Sequence, residues 1–319
     1  MIDSHDRRAL GTTGLTVSPV TLGAAPLGSM PETFGYEVTE QDAVELVRTV
    51  LRSDITTIDT ANGYSDGRSE HRIGQAITAE GGLPESALVI TKVDQRDGDY
   101  SGERVRRSLQ ESAQRLGVHP LPLVHLHDPE FHDFAAMTGP GGAVEALVAA
   151  RDRGDVQHIG LAGGDVHVLR RYLDLGVFEV LLVHNRWTLV DRSAGPLLHE
   201  AALRGMGIVN AAVLGGGILA GTRRTTNQYG YRAAPAAVLD AVDRMHDICR
   251  GYDTDLATAA IRFSTRDARI HSTVVGFTRP ERIAATLAAA SADLPDALWD
   301  DLEAQLPDPQ HWLDAVERP

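Results

Sequence analysis

The sequence alternates between short runs of β-branched and aliphatic residues and stretches whose apolar residues recur at helical spacing. The eight runs are VTLG from Val20, then ITTID, LVITK, LPLVHLH, VQHIGLA, FEVLLVHN, GIVNAAVL and STVVGF. They are apolar throughout, which is typical of parallel strands covered on both faces. Each run is followed by a stretch that favours helix, so the pattern predicts eight consecutive strand–helix units.

Eight such units in a chain of 319 residues predict an α/β fold, a closed (β/α)₈ barrel. Residues 8–17, which turn at Thr13-Gly14, predict a hairpin that plugs the bottom of the barrel. The segment PDALWDDLEAQL predicts an extra helix near the carboxyl terminus. No linker divides the chain, so we expect one domain over residues 1–319. A doubly wound open sheet is the alternative fold.

A longer insertion interrupts the alternation after the seventh strand. Residues 215–235 are rich in Gly, Thr and Arg, and two predicted helices follow at about 236–250 and 255–265. Tyr229 and Tyr231 lie in this insertion. We expect them to lie near the mouth of the barrel, and a solvated surface loop is the alternative.

The composition restricts the classes of partner. A net charge of −14 and a pI of about 5.3 argue against gripping nucleic acid or an anionic membrane. Cys249 is the only cysteine, so no intramolecular disulfide forms and a cytoplasmic location is expected. No apolar run reaches the length of a membrane span, and the amino terminus lacks the apolar core of a signal peptide. The sequence leaves the oligomeric state open.

Three of the predicted strands end in a side chain that can carry a proton. ITTID ends in Asp59, LVITK in Lys92 and LPLVHLH in His127. The carboxyl ends of parallel strands meet at one rim of a barrel, where enzymes of this architecture have their active sites. Tyr64 follows Asp59 after an Asn62-Gly63 turn, so its ring can fold over that rim. Each residue alone has an ordinary explanation, but together they predict a proton-transfer site.

The charges expected at the rim suit a tyrosine that acts as an acid or a base. An unperturbed tyrosine has a pKa near ~10 and is a poor acid at neutral pH. The ammonium of Lys92 is expected to lower that pKa, while Asp59 keeps Lys92 charged. His127 is expected to donate a hydrogen bond to a substrate oxygen and hold it near the phenol.

The segments DTANGYSDGRSE, ITK and HLHD resemble the aldo-keto reductase superfamily. The similarity extends over nearly the whole chain, through RALGTTGLTVSPVTLGAAPLG, GDVQHIGLAGG, RWTLVDR and VVGFTRPERI. The resemblance implies that the family's catalytic tetrad is Asp59, Tyr64, Lys92 and His127. It also implies an enzyme that transfers hydride between a nicotinamide cofactor and a carbonyl or alcohol.

The chain departs from the family where the nicotinamide is held. The family commonly has Ser-Asn after the fifth strand, and this chain has Ala162-Gly163. His184 stands where the family usually has Gln, and Ala211 stands where an aromatic commonly stacks on the ring. We therefore expect other groups to hold the ring, with His184, Asn185 and Trp187 as candidates.

The loop after the last strand bears on the choice between NAD(H) and NADP(H). The resemblance assigns nine positions to cofactor binding: Ala162, Gly163, His184, Leu214, Gly216, Gly276, Thr278, Arg279 and Arg282. An arginine pair suits a 2′-phosphate, and a helix that starts near Pro280 suits phosphate binding. We therefore expect NADP(H) to be preferred over NAD(H), although Gly276 replaces a lysine that many NADP-preferring members have.

Further segments are similar to one branch of the family. GAAPLG, TLVDR, LGGGILAG and QYGYRAAP resemble dehydrogenases of L-fucose, L-galactose and D-threo-aldoses, with pyridoxal 4-dehydrogenase nearby. This resemblance implies oxidation of a cyclic aldose at its anomeric carbon to a lactone. Trp187 and His125 are the expected substrate contacts. Pyridoxal or a specialised-metabolite carbonyl is the alternative substrate, and a cofactor-sensing binding module is the alternative of another class.

Two isolated motifs point elsewhere. His125 and His127 face the same side of a strand and resemble the paired histidines of metal-dependent hydrolases. That fold has its pair on the first strand, before its lysine, whereas here the pair follows Lys92; no metal is therefore expected. Leu214-Gly215-Gly216-Gly217 resembles a phosphate-binding glycine run, but no helix or acidic residue follows at the required distance.

Overall fold

The computed structural model describes residues 7–315. Eight parallel strands close into a barrel, so the predicted (β/α)₈ fold is confirmed and the open sheet is wrong. The prediction of one domain covers residues 1–319, of which 1–6 and 316–319 lie outside the described residues. Within 7–315, no helix combines the length and the apolar character that crossing a membrane requires.

The strands fall into one barrel and two small hairpins. The first hairpin pairs β1 (Arg8–Ala9) with β2 (Thr16–Val17), and the second pairs β10 (Gln228–Tyr229) with β11 (Arg232–Ala233). The barrel strands are β3 (Val20–Gly23), β4 (Thr57–Asp59), β5 (Leu88–Val93), β6 (Leu121–His127), β7 (Val156–Gly163), β8 (Val180–His184), β9 (Gly207–Ala211) and β12 (Ser272–Gly276). Each strand pairs in parallel with the next, and β12 closes the ring against β3.

Helices cover the outside of the barrel. They are α1 (Pro31–Phe34), α2 (Glu40–Leu51), α3 (Arg68–Ala79), α4 (Gly102–Leu116), α5 (Phe134–Thr138), α6 (Ala143–Asp152), α7 (Val166–Leu173), α8 (Gly195–Leu203), α9 (Ala236–Gly251), α10 (Leu256–Thr265), α11 (Glu281–Ala290) and α12 (Asp296–Glu303). Local signals set several boundaries: the side chains of Thr39 and Ser101 cap α2 and α4, and Gly117 ends α4 in the left-handed region. The extra helix near the carboxyl terminus is α12. The short helices α1 and α5 were not predicted.

The first hairpin plugs the barrel as expected. Leu10 and Val17 are fully buried and belong to the same apolar cluster as inward-facing residues of β8 and β9. Gly11 adopts a φ of +56°, and a Cβ at this position would lie 2.2 Å from the backbone nitrogen of Gly207. A glycine is therefore required where the hairpin meets the barrel floor.

The insertion is anchored as well as exposed. Tyr229 is buried, and its hydroxyl lies 2.8 Å from the Oγ1 of Thr188 after β8. Arg232 donates to the carbonyl of Leu313, which joins the second hairpin to the carboxyl-terminal segment. The hairpin was not predicted, and the tertiary contacts of Tyr229 and Arg232 reveal it.

Candidate active site

Lys92 lies at the centre of a buried polar cluster at the carboxyl ends of β4, β5 and β6. Its Nζ donates to the Oδ1 of Asp59 at 2.6 Å, to the carbonyl of Thr60 at 2.7 Å and to the hydroxyl of Tyr64 at 3.2 Å. Lys92 is 1% exposed and Asp59 is 4% exposed. Because an ammonium has three donors, every N–H of Lys92 has a partner and its direction is fixed.

The Asn62-Gly63 turn brings Tyr64 over this cluster. The amide of Asn62 is buried and donates to the carbonyl of Ser108 in α4, and the backbone nitrogen of Asn62 donates to the carbonyl of Lys92. The backbone nitrogen of Gly63 donates to the Oδ2 of Asp94 at 2.5 Å. The turn is thus held by α4 and by the loop after β5, and Tyr64 stays half-buried at the barrel mouth.

His127 completes the set at the end of β6. Its ring meets the ring of Tyr64 edge-on, with centroids 5.6 Å apart. Its Nδ1 lies 2.6 Å from the Oδ1 of Asp94, and its Nε2 lies 3.7 Å from the Oδ2 of Asp128. The structure therefore brings together all four residues of the predicted tetrad.

Asp94 and Asp128 are site residues that the sequence reasoning missed. Each lies one residue past a barrel strand: Asp94 follows Val93, and Asp128 follows His127. The same rule that selected Asp59, a polar residue at a strand end, would have found both.

The expected effect of Lys92 on Tyr64 is too small to decide the protonation state. Burial raises the pKa of Tyr64 well above its ordinary value, by more than the positive charge of Lys92 lowers it, and Asp59 raises it further. Burial alone would lower the pKa of Lys92, but Asp59 and Tyr64 raise it above its ordinary value. At neutral pH the pair is therefore a phenol beside an ammonium, and the expectation of a lowered tyrosine pKa is corrected.

The histidine and its two acids are also strongly perturbed. Burial alone would lower the pKa of His127, but the carboxylates of Asp94 and Asp128 raise it above its ordinary value. Burial alone would raise the pKa of Asp128, but His127 and His184 hold it well below its usual range. The imidazole therefore binds a second proton more readily than a free histidine does.

A group of three side chains continues the rim from β6 to β8. One carboxylate or imidazole atom from each of Asp128, Glu130 and His184 lies within 4.8 Å of the other two. Within residues 7–315, these three side chains have the spacing of a metal site. His184 Nε2 lies 3.4 Å from the Oδ1 of Asp128, and Glu130 accepts from the backbone nitrogen of Gly164 at 2.6 Å. The residues with this spacing are therefore not His125 and His127, the pair that resembles a metal motif in the sequence.

The place of the family's Ser-Asn is filled by a side chain from another loop. A Cβ on Gly163 would lie 2.5 Å from the Oε2 of Glu130, so this carboxylate occupies the space of a side chain at position 163. Among residues 7–315, the Oε2 of Glu130 and the Oδ1 of the fully buried Asn185 have no hydrogen-bond partner. Unpaired acceptors fit the N–H donors of a nicotinamide carboxamide, so the residues present suit that cofactor.

Trp187 does not lie at the mouth. Its ring packs against Phe263 of α10 with centroids 5.7 Å apart, and a Cβ on Gly195 of α8 would lie 3.2 Å from it. The expected substrate contact is therefore corrected to a packing role between the barrel and two helices, where a large apolar ring is best shielded from water.

His125 lies one layer below His127, inside the barrel. It is fully buried and pairs in register with Lys92 and Gly160. Burial, with a smaller contribution from the positive charge of Lys92, lowers the pKa of His125 to about 3. This neutral side chain fills the barrel below the site, which corrects the expected substrate contact.

The further residues assigned to cofactor binding are exposed or partly exposed. Gly215–Gly217 form a short turn in which Gly216 has open space beside it, and Leu214 packs partly against the core. Gly276 ends β12, and Pro280 has helical dihedral angles directly before α11. Arg279 and Arg282 are exposed, and within 7–315 neither has an acidic partner at ion-pair distance. Their roles, with that of Thr278, remain predictions.

Comparison with known proteins gives one consistent family. The sequence model of the aldo/keto reductase family matches residues 19–306. Pyridoxal 4-dehydrogenase of Microbacterium luteolum is 32% identical over an alignment that covers 95% of this chain and 98% of that protein. D-threo-aldose 1-dehydrogenase of a Pseudomonas species is 29% identical with the same coverage. L-galactose dehydrogenase of Arabidopsis thaliana is 30% identical over 89% of this chain and 88% of its own.

Solved structures agree on the fold. An aldo-keto reductase of Bacillus halodurans in its holo form superposes with a TM-score of 0.77 at 19% identity, covering 94% of this chain and 96% of that one. A protein of Pseudomonas aeruginosa described as a putative aldo-keto reductase gives a TM-score of 0.67 at 24% identity, covering 90% and 94%.

Proposed function

The chain belongs to the aldo/keto reductase family, and we propose that it oxidises an L-fucose-like aldose at the anomeric carbon to a lactone. As a member of that family it is an NAD(P)-dependent oxidoreductase acting on a small carbonyl or alcohol. The direction and the sugar belong to the proposal.

The observation that carries the sugar proposal is the row of acceptors beside His127. Asp128 and His184 lie together next to the tetrad, with Glu130, the residue proposed to bind the cofactor, beside them. A cyclic aldose presents several hydroxyl donors to such a row, whereas an apolar carbonyl compound would leave buried acceptors unpaired. The similarity to D-threo-aldose 1-dehydrogenase and L-galactose dehydrogenase supports the same class.

The tetrad supplies the proton transfer. His127 holds the oxygen that reacts, through its Nε2, close to the hydroxyl of Tyr64. In oxidation the Tyr64 phenolate accepts the proton of the anomeric hydroxyl, and in reduction the phenol returns it. Lys92 stabilises the phenolate, and Asp59 fixes the direction of Lys92. The nicotinamide cofactor, when bound, accepts or supplies the hydride.

The cofactor is proposed to bind along the same rim. Glu130 and Asn185 would accept from the carboxamide, with His184 beside them, in place of the family's Ser-Asn. Arg279 and Arg282 would bind a 2′-phosphate at the start of α11, which favours NADP(H) over NAD(H). A single domain and a cytoplasmic location, favoured by the lone buried Cys249, belong to the same proposal.

Pyridoxal is the second candidate substrate, favoured by 32% identity to pyridoxal 4-dehydrogenase over almost the whole chain. A cofactor-sensing module without turnover is the alternative of another class. Both alternatives are compatible with the same tetrad. They differ from the sugar proposal in which substrate is turned over and in whether any turnover occurs.

A substrate panel tests the proposal. The purified protein is incubated with NAD⁺ or NADP⁺ and with L-fucose, L-galactose or pyridoxal, and the absorbance of the reduced cofactor is followed. We expect the highest kcat/KM with an aldose and loss of turnover in Tyr64→Phe. Preference for pyridoxal would replace the substrate, and cofactor binding without turnover on any panel member would favour the sensor.

A further inference from the structure

The carboxylate of Asp94 contacts both His127 and the turn that carries Tyr64. Asp94 follows β5 directly; its Oδ1 lies 2.6 Å from the Nδ1 of His127, and its Oδ2 accepts from the backbone nitrogen of Gly63 at 2.5 Å. Gly63 immediately precedes Tyr64. The backbone nitrogen of Asp94 donates to the Oγ of Ser108 in α4, which fixes the origin of the side chain.

We propose that Asp94 is a positioning residue that sets the tautomer of His127 and holds the turn that carries Tyr64. The proposal rests on the proposed proton-transfer role of those two residues. Asp94 itself is one residue removed from the reacting atoms and acts through its neighbours.

The tautomer follows from the chemistry of a carboxylate. An ionised carboxylate can only accept, so the Nδ1 of His127 must carry the hydrogen that it shares with Asp94. The Nε2 then faces the mouth, as an acceptor in the neutral ring and as a donor in the imidazolium. The second proton is favoured because negative charge lies on both sides of the ring, from Asp94 and Asp128.

The other titratable groups around the ring of His127 are Lys92, His125, Tyr64, Tyr100 and His184. Lys92 of β5 opposes the second proton, and its charge is neutralised locally by Asp59. Below the ring, His125 is neutral at pH 7, and beside it Tyr64 is a phenol. From the loop after β5, the hydroxyl of Tyr100 accepts from the backbone nitrogen of His127 and stays protonated because burial raises its pKa. His184 pairs with Asp128 on the far side.

The contact with Gly63 gives a second way to probe the carboxylate. A Cβ on Gly63 would lie 2.9 Å from both the Cγ and the Oδ2 of Asp94. Gly63→Ala therefore displaces the carboxylate while leaving its charge in the protein. Asp94→Asn removes the charge while keeping the size of the side chain.

The test is an NMR titration of the full-length protein with ¹⁵N-labelled histidine, in which His127→Asn identifies the signals of His127. In the parent we expect the Nδ1–H tautomer and a pKa above the ordinary value. Asp94→Asn should lower the pKa of His127 by about one unit or more and increase the Nε2–H tautomer. The matched control is Asp97→Asn, which removes a carboxylate from an exposed position on the same loop and should change neither.

Kinetics with the substrate found by the panel gives the second readout. The limb of the pH–rate profile that belongs to His127 should move in Asp94→Asn as the pKa of His127 does. In a His127→Asn background the same change should add no further loss of kcat, because the amide oxygen introduced at position 94 can still accept from Gly63 and hold the turn. Unchanged tautomer and pKa of His127 in Asp94→Asn would overturn the proposal, even if activity fell. Should Asp94→Asn not fold, Gly63→Ala must shift the same signals, or the proposal fails. The titration needs no substrate, so its result is independent of the proposed function.

Discussion

The Nζ of Lys92 lies 2.6 Å from the Oδ1 of Asp59, and almost none of either side chain is exposed. The two residues come from neighbouring strands, β5 and β4, and the carboxylate of Asp59 raises the pKa of Lys92 against the opposing effect of burial. Removing one partner leaves a buried charge without compensation, whereas removing both leaves none.

The first prediction concerns stability. Asp59→Asn should lower the free energy of unfolding by about 3–5 kcal/mol, because the Lys92 ammonium loses its counter-charge in a buried site. Urea denaturation measures this change. The double variant Asp59→Leu/Lys92→Met should recover most of the stability without recovering turnover. A single variant as stable as the parent would contradict the prediction.

The second prediction concerns the pH dependence of oxidation. The pKa of Tyr64 is raised, so its phenolate is scarce at neutral pH. As long as the pH stays below that pKa, the phenolate fraction rises about tenfold for each unit by which the pH increases. Single-turnover oxidation should therefore accelerate as pH rises through the alkaline range. Tyr64→Phe should lose about 10²–10⁴ in rate and the pH slope with it. Tyr252→Phe, whose hydroxyl binds Asp301 far from the barrel mouth, serves as the control.

The third prediction concerns acid stability. His125 has a folded-state pKa of about 3, whereas the unfolded chain has an ordinary value near ~6.5. Between these values the unfolded state binds the extra proton, so stability is full above ~6.5 and is lost as pH falls toward 3. His125→Gln should make the fall of the unfolding free energy shallower by on the order of a few kcal/mol over that range. The exposed His199→Gln should leave the slope as in the parent.

The fourth prediction concerns cofactor binding by Glu130, which takes the place of the side chain that the family commonly has at position 163. Gly163→Asn alone should weaken NAD(P)⁺ binding, because its Cβ would collide with the carboxylate of Glu130. Glu130→Ala alone should also weaken it, by removing an acceptor. The double variant should bind better than either single one, as measured by calorimetry with the oxidised cofactor. Strictly additive losses would show that the two positions do not share one space.

The fifth prediction concerns the choice of cofactor. Arg282→Ala should lower kcat/KM for NADP⁺ and leave the value for NAD⁺ unchanged, because only NADP⁺ offers a 2′-phosphate to the guanidinium. Arg106→Ala, an exposed arginine on α4, is the control. Equal effects on both cofactors would remove Arg282 from the phosphate site.

The sequence was sufficient for the barrel because the alternation of strands and helices is repeated eight times and each repeat is readable locally. The tetrad was also readable, since Asp59, Lys92 and His127 end successive strands and parallel strands bring their ends to one rim. The short helices α1 and α5 were not readable, because four or five residues are too few for a periodic signal. The hairpin of β10 and β11 was also missed, and its position depends on contacts with Thr188 and Leu313.

The expectations for Trp187, His125 and the pKa of Tyr64 failed for a common reason. Chain position places a residue near a strand end, but the packing of other elements decides which way its side chain points and how much water it meets. Trp187 packs against α8 and α10, and desolvation dominates the pKa shifts of His125 and Tyr64.

The sequence by itself therefore determined the barrel, the hairpin plug and the four residues at the rim, because each depends on local pattern and on the direction of parallel strands. Only the tertiary structure decided which contacts the surrounding acids make. Asp94 reaches both His127 and Gly63, and Glu130 occupies the space above Gly163, because loops distant in the chain converge at the barrel mouth. Such contacts depend on the three-dimensional path of several loops at once, and no segment of the sequence specifies that path alone.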